Sequence, residues 1–249
     1  MENKFNIAVL IDGDNAQPKL MKEIIEEVSK YGKATIRRIY GDWTSHQMNG
    51  WKTIINQYSI SPIQKFSYTT GKNSTDSSLI IDAMDILHGK NTEGFCIVSS
   101  DSDYTGLAKR IREEGLFVMG IGEKKTPEAF AKSCEVFTFT ENLMKEEVKP
   151  VFTKILKQQG KSEHKEIFSK IKLSKEDLET IDKAFDISTN EEDNAHISTL
   201  GLNIRKIDPS FDPRTYGFKS LTKLFENIDK YEVIKNEVGG FNHPLLRIR

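Results

Sequence analysis

Only two cysteines, Cys96 and Cys134, occur among 249 residues. Two thiols do not make the disulfide framework of a small secreted domain. Cys96 sits inside an apolar run, which predicts a buried free thiol. No apolar stretch approaches the ~18–20 residues that cross a membrane, and "MENKFNIAVLIDGD" has no signal-peptide pattern. These absences together predict a cytoplasmic protein. The five histidines show no zinc-site spacing, which disfavours zinc. A G-x-x-x-x-G-K-[ST] phosphate loop is missing, and "GIGEKK" (120–125) lacks the third glycine of a dinucleotide loop. There is no internal repeat or low-complexity tract. Net charge is −1, so the whole chain carries no electrostatic sign of a nucleic-acid binder.

What is present suits a soluble globular chain of one large or two modest domains: 37% hydrophobic and 29% charged residues. The charge is unevenly spread. Residues 1–147 carry 18 Lys and Arg against 21 Asp and Glu, whereas residues 196–249 carry nine against six. An acidic half that acted on phosphates would need metal ions to bridge the mismatch.

Strand-like and helix-like patterns alternate over the first 140 residues. Apolar or β-branched runs predict strands at 5–11, 33–40, 59–66, 94–100, 115–122 and 135–139. Helical spacing predicts helices at 18–31, 47–58, 75–88, 103–114 and 127–133. Alternation of this kind implies an α/β fold with a parallel sheet, right-handed crossovers and helices on both faces. In such sheets the working site lies beyond the carboxyl ends of the strands, where strand order reverses. Beyond residue 145 the pattern changes. Residues 146–172 read as a charged helical linker. Residues 174–187 read as an amphipathic helix with a capping box from Ser174 to Asp177. Two short helices around a Pro-rich turn and a hairpin follow.

Two buried strands end in acids: "VLIDGDN" (9–15) and "VSSDSDY" (98–104). Asp12 and Asp14 leave the first, Asp101 and Asp103 the second, and Asp76 stands in the first turn of the 75–88 helix. If 5–11 and 94–100 are neighbours, these acids converge. Two carboxylates ~5 Å apart repel by roughly 3 kcal/mol at an effective dielectric of 20. Shared protons or a divalent ion could neutralise such a cluster, and hard oxygen ligands suit Mg²⁺ or Mn²⁺. Asn15 is placed to orient a carboxylate or a phosphate. Lys72 and Asn73, on the loop before Asp76, could meet phosphate. Asp103 could instead cap the helix that follows it. Asp82 and Asp85 fall ~240° and ~180° round the helix from Asp76, which predicts for Asp82 a structural role or one supporting the site from behind, and for Asp85 a solvent-facing position. A phosphoaspartyl phosphatase also begins from Asp-x-Asp, with Asp12 as nucleophile. Ala16 and the lack of a flap insertion speak against it.

"AVLIDGDN", "GKNSTDSSLIIDAMDIL", "FCIVSSDSDYTGLAKRIREEG", "GIGEKKTPEAF" and "SCEVFTF", in order over residues ~5–143, resemble the NYN domain of LabA-like proteins in the PIN-like nuclease superfamily. "RRIYGDW" and "GWKTII" fit the same family. The resemblance implies a Rossmann-like parallel sheet of PIN-like type and metal-dependent RNA cleavage with 5′-phosphate and 3′-hydroxyl products. By position it implies Asp12, Asp76, Asp101 and Asp103 as the acidic set, with Asn15 beside them and no nucleophilic side chain. "STLGLNIRKIDPSFDPRTYGFKSLTKLFENIDKYEVIK" resembles a LOTUS (OST-HTH) domain, a small winged-helix-like module associated with RNA or protein partners. There Leu221, Leu224, Phe225 and Ile228 make one apolar helix face, with Lys219 and Lys223 on another. Arg247 and Arg249 close the wing, and these four basic residues are the module's expected contacts with RNA phosphates.

The expected organisation is therefore an NYN domain over 1–145, a linker over 146–172 and a LOTUS domain over 173–249. The expected function is ribonuclease action with Mg²⁺ or Mn²⁺ and RNA as partner. In this reading Asp12, Asp76 and Asp101 hold the ion, while Asp103 and Asn15 position water or a second ion. The competing reading is a non-catalytic adaptor that recruits RNA or protein.

Overall fold

The strand Phe5–Asp12 (β1) is buried on both faces, and that accounts for its lack of polar alternation. Ile7, Val9 and Ile11 join one core cluster, while Ala8 and Leu10 join the other. The computed structural model describes residues 5–66, 74–144, 173–190 and 193–249; Lys72, Asn73 and the expected linker lie outside them. Contacts divide the chain into two compact units, Met1–Met144 and Lys145–Arg249.

In the first unit β1 is followed by α1 (Met21–Val28), β2 (Gly32–Gly41), α2 (Lys52–Tyr58), β3 (Ser61–Gln64) and α3 (Ser74–His88). Then come β4 (Gly94–Val98), α4 (Thr105–Glu113), β5 (Phe117–Gly122), α5 (Glu128–Ser133) and β6 (Val136–Phe139). All six strands are parallel, in the order β3-β2-β1-β4-β5-β6. Helix α1 buries Met21, Ile24 and Val28 on one face, together with Met48 and Trp51 from the segment just before α2. Helices α3, α4 and α5 bury Leu79, Ala83, Leu107, Ile111 and Phe130 on the other. The fold is the α/β PIN-like arrangement, with strand order reversing between β1 and β4.

Several elements are shorter than their sequence patterns. The 18–31 pattern opens with a 3-10 turn at Pro18–Leu20 before α1. The 47–58 pattern is a 3-10 segment, His46–Trp51, before α2, because Gly50 weakens helix there while Met48 and Trp51 must still reach the core. The 59–66 pattern keeps only β3, an edge strand, the position that tolerates Pro62.

The second unit contains α6 (Lys175–Ser188), β7 (Asn194–His196), α7 (Ile197–Ile207) and α8 (Leu221–Phe225), then β8 (Tyr231–Ile234), β9 (Glu237–Val238), β10 (Phe241–Asn242) and β11 (Leu245–Ile248). Strands β7, β11 and β8 form one antiparallel sheet in that order, and β9 pairs with β10. The capping box is present: Ser174 Oγ accepts from Asp177 N at 3.0 Å, and Asp177 Oδ2 accepts from Ser174 N at 2.8 Å. Helix α8 ends at Phe225, so Ile228 lies in the turn beyond it, yet still packs on the Leu200, Phe225 and Tyr231 core. No helix among the described residues is long and apolar enough to cross a membrane.

Gly13 is fixed by crowding at the end of β1. Its amide donates to the Tyr40 carbonyl at 2.9 Å, and a Cβ would sit 2.7 Å from that oxygen and 2.5 Å from Met48 Cε. Gly13→Ala is expected to lower stability by about 1–3 kcal/mol, as overpacking does. Gly106→Ala, in α4 with open space around it, should be neutral or stabilising by up to ~1 kcal/mol. Urea unfolding of both variants checks the pair; equal midpoints would refute the crowding.

Candidate metal centre

Because β1 and β4 are adjacent and point the same way, Asp12 at the end of one faces Ser99–Asp103 at the end of the other. Asp12 is fully buried. Its Oδ2 accepts from Asn15 Nδ2 at 2.7 Å and from Ser99 Oγ at 2.8 Å, while Oδ1 accepts from the Asp14 amide at 3.2 Å. Burial pushes its carboxyl above the ordinary range, and the Asn15 and Ser99 hydrogen bonds oppose that rise. Asn15 thus orients a carboxylate, one of its two expected roles.

Ser99 links the two strand ends. Its hydroxyl donates to Asp12 and accepts from the Asp101 amide at 3.1 Å. Gly122 on β5 makes room for this turn, since a Cβ there would lie 2.5 Å from the Ser99 carbonyl oxygen. Asp101 caps the 3-10 turn Ser102–Tyr104, accepting from the Asp103 amide through Oδ1 at 3.0 Å. The capping role therefore falls to Asp101 rather than to Asp103.

Asp76 enters from α3. Its Oδ1 accepts from the Tyr104 hydroxyl at 2.6 Å. Desolvation pushes its carboxyl up, Tyr104 opposes this, and the charges of Asp12, Asp101 and Asp103 push it further up. Tyr104 is itself fully buried, beside Phe130 at 6.3 Å between ring centroids. Burial first, then Asp12 and Asp76, drive its phenol pKa far up, so it stays a neutral donor.

Carboxylate oxygens of Asp76, Asp101 and Asp103 lie within 4.8 Å of one another. Oxygens round one octahedral Mg²⁺ at ~2.1 Å sit within about 4.2 Å of each other, so a small side-chain adjustment closes the set. The donor set fits the ion: three hard oxygens, at least one carrying an unfavourable charge that a cation would relieve. Asp12 stands behind this triad with its oxygens engaged, and its charge reaches Asp76.

Ser99 and Tyr104 escaped the sequence reading, although both lie inside "VSSDSDY". A polar residue directly after a buried strand, and a tyrosine one place past an acid, were the available signals. Asp82 has its structural role: Arg38 and Tyr40 on β2 both bind its carboxylate. Asp85 is exposed.

In the second unit Lys219 and Arg249 are exposed. Lys223 Nζ is paired with Glu226 at 2.6 Å, and Arg247 Nη2 with Glu232 at 2.9 Å. Two of the four expected RNA contacts are therefore partly neutralised by neighbours.

A raised Asp76 pKa means that the metal-free fold holds this proton more tightly than the unfolded chain does. The cost of ionising Asp76 is absent below the ordinary carboxylate pKa of ~3.9 and complete above the raised value. In chelator at neutral pH, Asp76→Asn should therefore melt at a higher temperature than the parent, with the gain shrinking as pH falls towards 4. A melting series across that range would refute this if the two proteins melt alike at pH 7.

A family model for the NYN domain matches residues 6–143, and one for the OST-HTH/LOTUS domain matches residues 159–243. No curated protein matches. A solved protein of unknown function from Vibrio parahaemolyticus RIMD 2210633 is similar at 16% identity, with a TM-score of 0.46, over 55% of this chain and 93% of its own. The chain belongs to the NYN domain family and carries an OST-HTH/LOTUS domain after its NYN domain.

Proposed function

We propose that this protein is a divalent-metal-dependent ribonuclease, with catalysis in the NYN domain (1–145), a linker (146–172) and RNA contacts in the LOTUS domain (173–249). The observation that carries the reading is the Asp76, Asp101 and Asp103 triad at the point where strand order reverses. Asp76, Asp101 and Asp103 would hold Mg²⁺ or Mn²⁺, with Asp12 supplying negative charge from behind. A bound ion supplies positive charge to the scissile phosphate and acidifies a water for in-line attack. Tyr104 fixes Asp76, Ser99 ties Asp101 to Asp12, and Asn15 holds Asp12 in one rotamer. Catalysis then consists of positioning and electrostatics, with no covalent intermediate on the chain. Full burial of Asp12 argues against its use as a phosphatase nucleophile, because in-line attack requires access to the carboxylate. Lys219, Lys223, Arg247 and Arg249, with Lys72 and Asn73 near the centre, would meet RNA phosphates.

Asp101→Asn keeps the acceptor for the Asp103 amide and removes one charge. It should cut metal-dependent RNA cleavage by at least ~10²-fold, the scale of losing one electrostatic stabiliser. Mn²⁺ should raise the parent's melting temperature, and less so for the variant, because the ion binds only the folded site. Unchanged cleavage, or no Mn²⁺ shift in the parent, removes this centre from the mechanism. A parent that binds RNA without cleaving it is instead an adaptor.

Lys219 has no acidic partner among the described residues, whereas Lys223 has Glu226. Lys219→Glu should therefore weaken RNA binding more than Lys223→Glu, with a salt slope shallower by about 0.7 for one lost phosphate contact to a single strand. Binding isotherms at three salt concentrations decide this; the reverse ranking would show that Glu226 does not screen Lys223.

A further inference from the structure

Strand β2 is longer than its outer neighbour. Strand β1 pairs with it from Gly32 to Tyr40, but β3 pairs only with Arg38–Gly41. Among the described residues, the outer edge of β2 from Lys33 to Arg37 therefore carries no strand. Beside it lies a cleft of about 610 Å³, lined by Lys33, Thr35, Arg37, Arg38, Ser59 and Ser61 and by no acid.

The two arginines are held differently. Arg38 is paired with Asp82. Arg37 instead donates through Nε to the Ala34 carbonyl at 3.2 Å and through Nη1 to the Tyr58 carbonyl at 2.8 Å. Both acceptors are neutral, so the guanidinium is fixed between β2 and the end of α2 while keeping its full charge. Lys33 is exposed, and no described acid pairs with it or with Arg37. This cationic patch sits in a region, residues 1–147, with more acids than bases.

A lysine on an open edge can serve simply to block the addition of another strand. Arg37 does not fit that role, because it is folded back onto two carbonyls and does not project from the edge. A pinned guanidinium with donors to spare, in a cleft also lined by a lysine and two serines, is suited to phosphate oxygens.

We propose that the outer edge of β2 is a second nucleic-acid surface, on which Lys33 and Arg37 bind the phosphodiester backbone of single-stranded RNA. The identity of the polyanion rests on the ribonuclease reading. Tyr40, paired with Asp12, is three residues from Arg37, and Lys33 pairs with Asn6, six residues before Asp12, so Arg37 lies ~10 Å and Lys33 ~20 Å along the sheet from the level of Asp12. A strand several nucleotides long can occupy both places, but a trinucleotide at the metal centre cannot reach Lys33.

The test uses the full chain, with Lys33→Glu alone and with Lys33→Glu and Arg37→Gln together. A labelled 20-nucleotide single-stranded RNA is titrated by anisotropy in chelator at several salt concentrations, and melting curves verify folding. The salt slope is expected to fall by about 0.7 for the single variant and about 1.4 for the double. Cleavage of a trinucleotide in Mn²⁺ is expected to match the parent. Unchanged affinity and slope for the 20-mer overturn the proposal, and so does an equal loss of trinucleotide cleavage, which would place the effect in the catalytic centre or the fold. Lys33→Glu alone keeps the question open to refutation if Arg37→Gln disturbs the α2 contact. A parent that never cleaves RNA, yet loses salt slope in the variants, sinks the ribonuclease reading and leaves the surface standing.

Discussion

Asp12 is a carboxylate without solvent, at the end of a strand whose buried residues are otherwise apolar, with three more acids close by. Repulsion among these charges is the constraint that the surrounding structure answers. The answers available within the chain are neutral donors: Asn15, Ser99, Tyr104 and two main-chain amides each take up part of a carboxylate. None of them cancels a charge. Hydrogen bonds fix the geometry, and the repulsion among the charges remains.

That division explains how much could be read from sequence. The acids were legible because charged residues directly after a two-sided apolar strand have few other uses. Their convergence was legible once the alternating pattern implied a parallel sheet with β1 and β4 central. The grouping was less so. Asp12, Asp76 and Asp101 were expected round the ion with Asp103 at hand; among the described residues, the acids whose oxygens lie within 4.8 Å of one another are Asp76, Asp101 and Asp103. Only the turn geometry decides this, because the Asp103 amide binds Asp101 and turns the chain there. Ser99 and Tyr104 were missed because serine and tyrosine have many ordinary uses, and a hydrogen-bond partner 28 or 87 residues away leaves no local trace.

The second unit shows the same limit. The capping box and the apolar spacing of α6 and α7 were visible in the sequence. Strand β7 was not, because "NAH" becomes a strand only by pairing with β11. Charge counts also misled slightly. A basic excess of three over residues 196–249 says nothing of which cations are already paired, and Lys223 and Arg247 are. Conversely, the acidic excess of the first unit concealed the cationic edge of β2. Net charge is a sum, whereas a ligand meets particular side chains.

The strand order also bears on how the chain acquires its shape. Strand β1 leads the fold and ends up at its centre, so one of its two flanks waits for β4. Ile7 pairs with Gly94, a separation of 87 residues along the chain. Closing so long a loop is slow compared with forming local helices, and it brings the acids at the two strand ends together. During synthesis at ~5–20 residues per second, an apolar strand therefore stands with one edge open for several seconds. A strand that the finished protein buries on both faces is thus one whose edge the nascent chain leaves open for seconds.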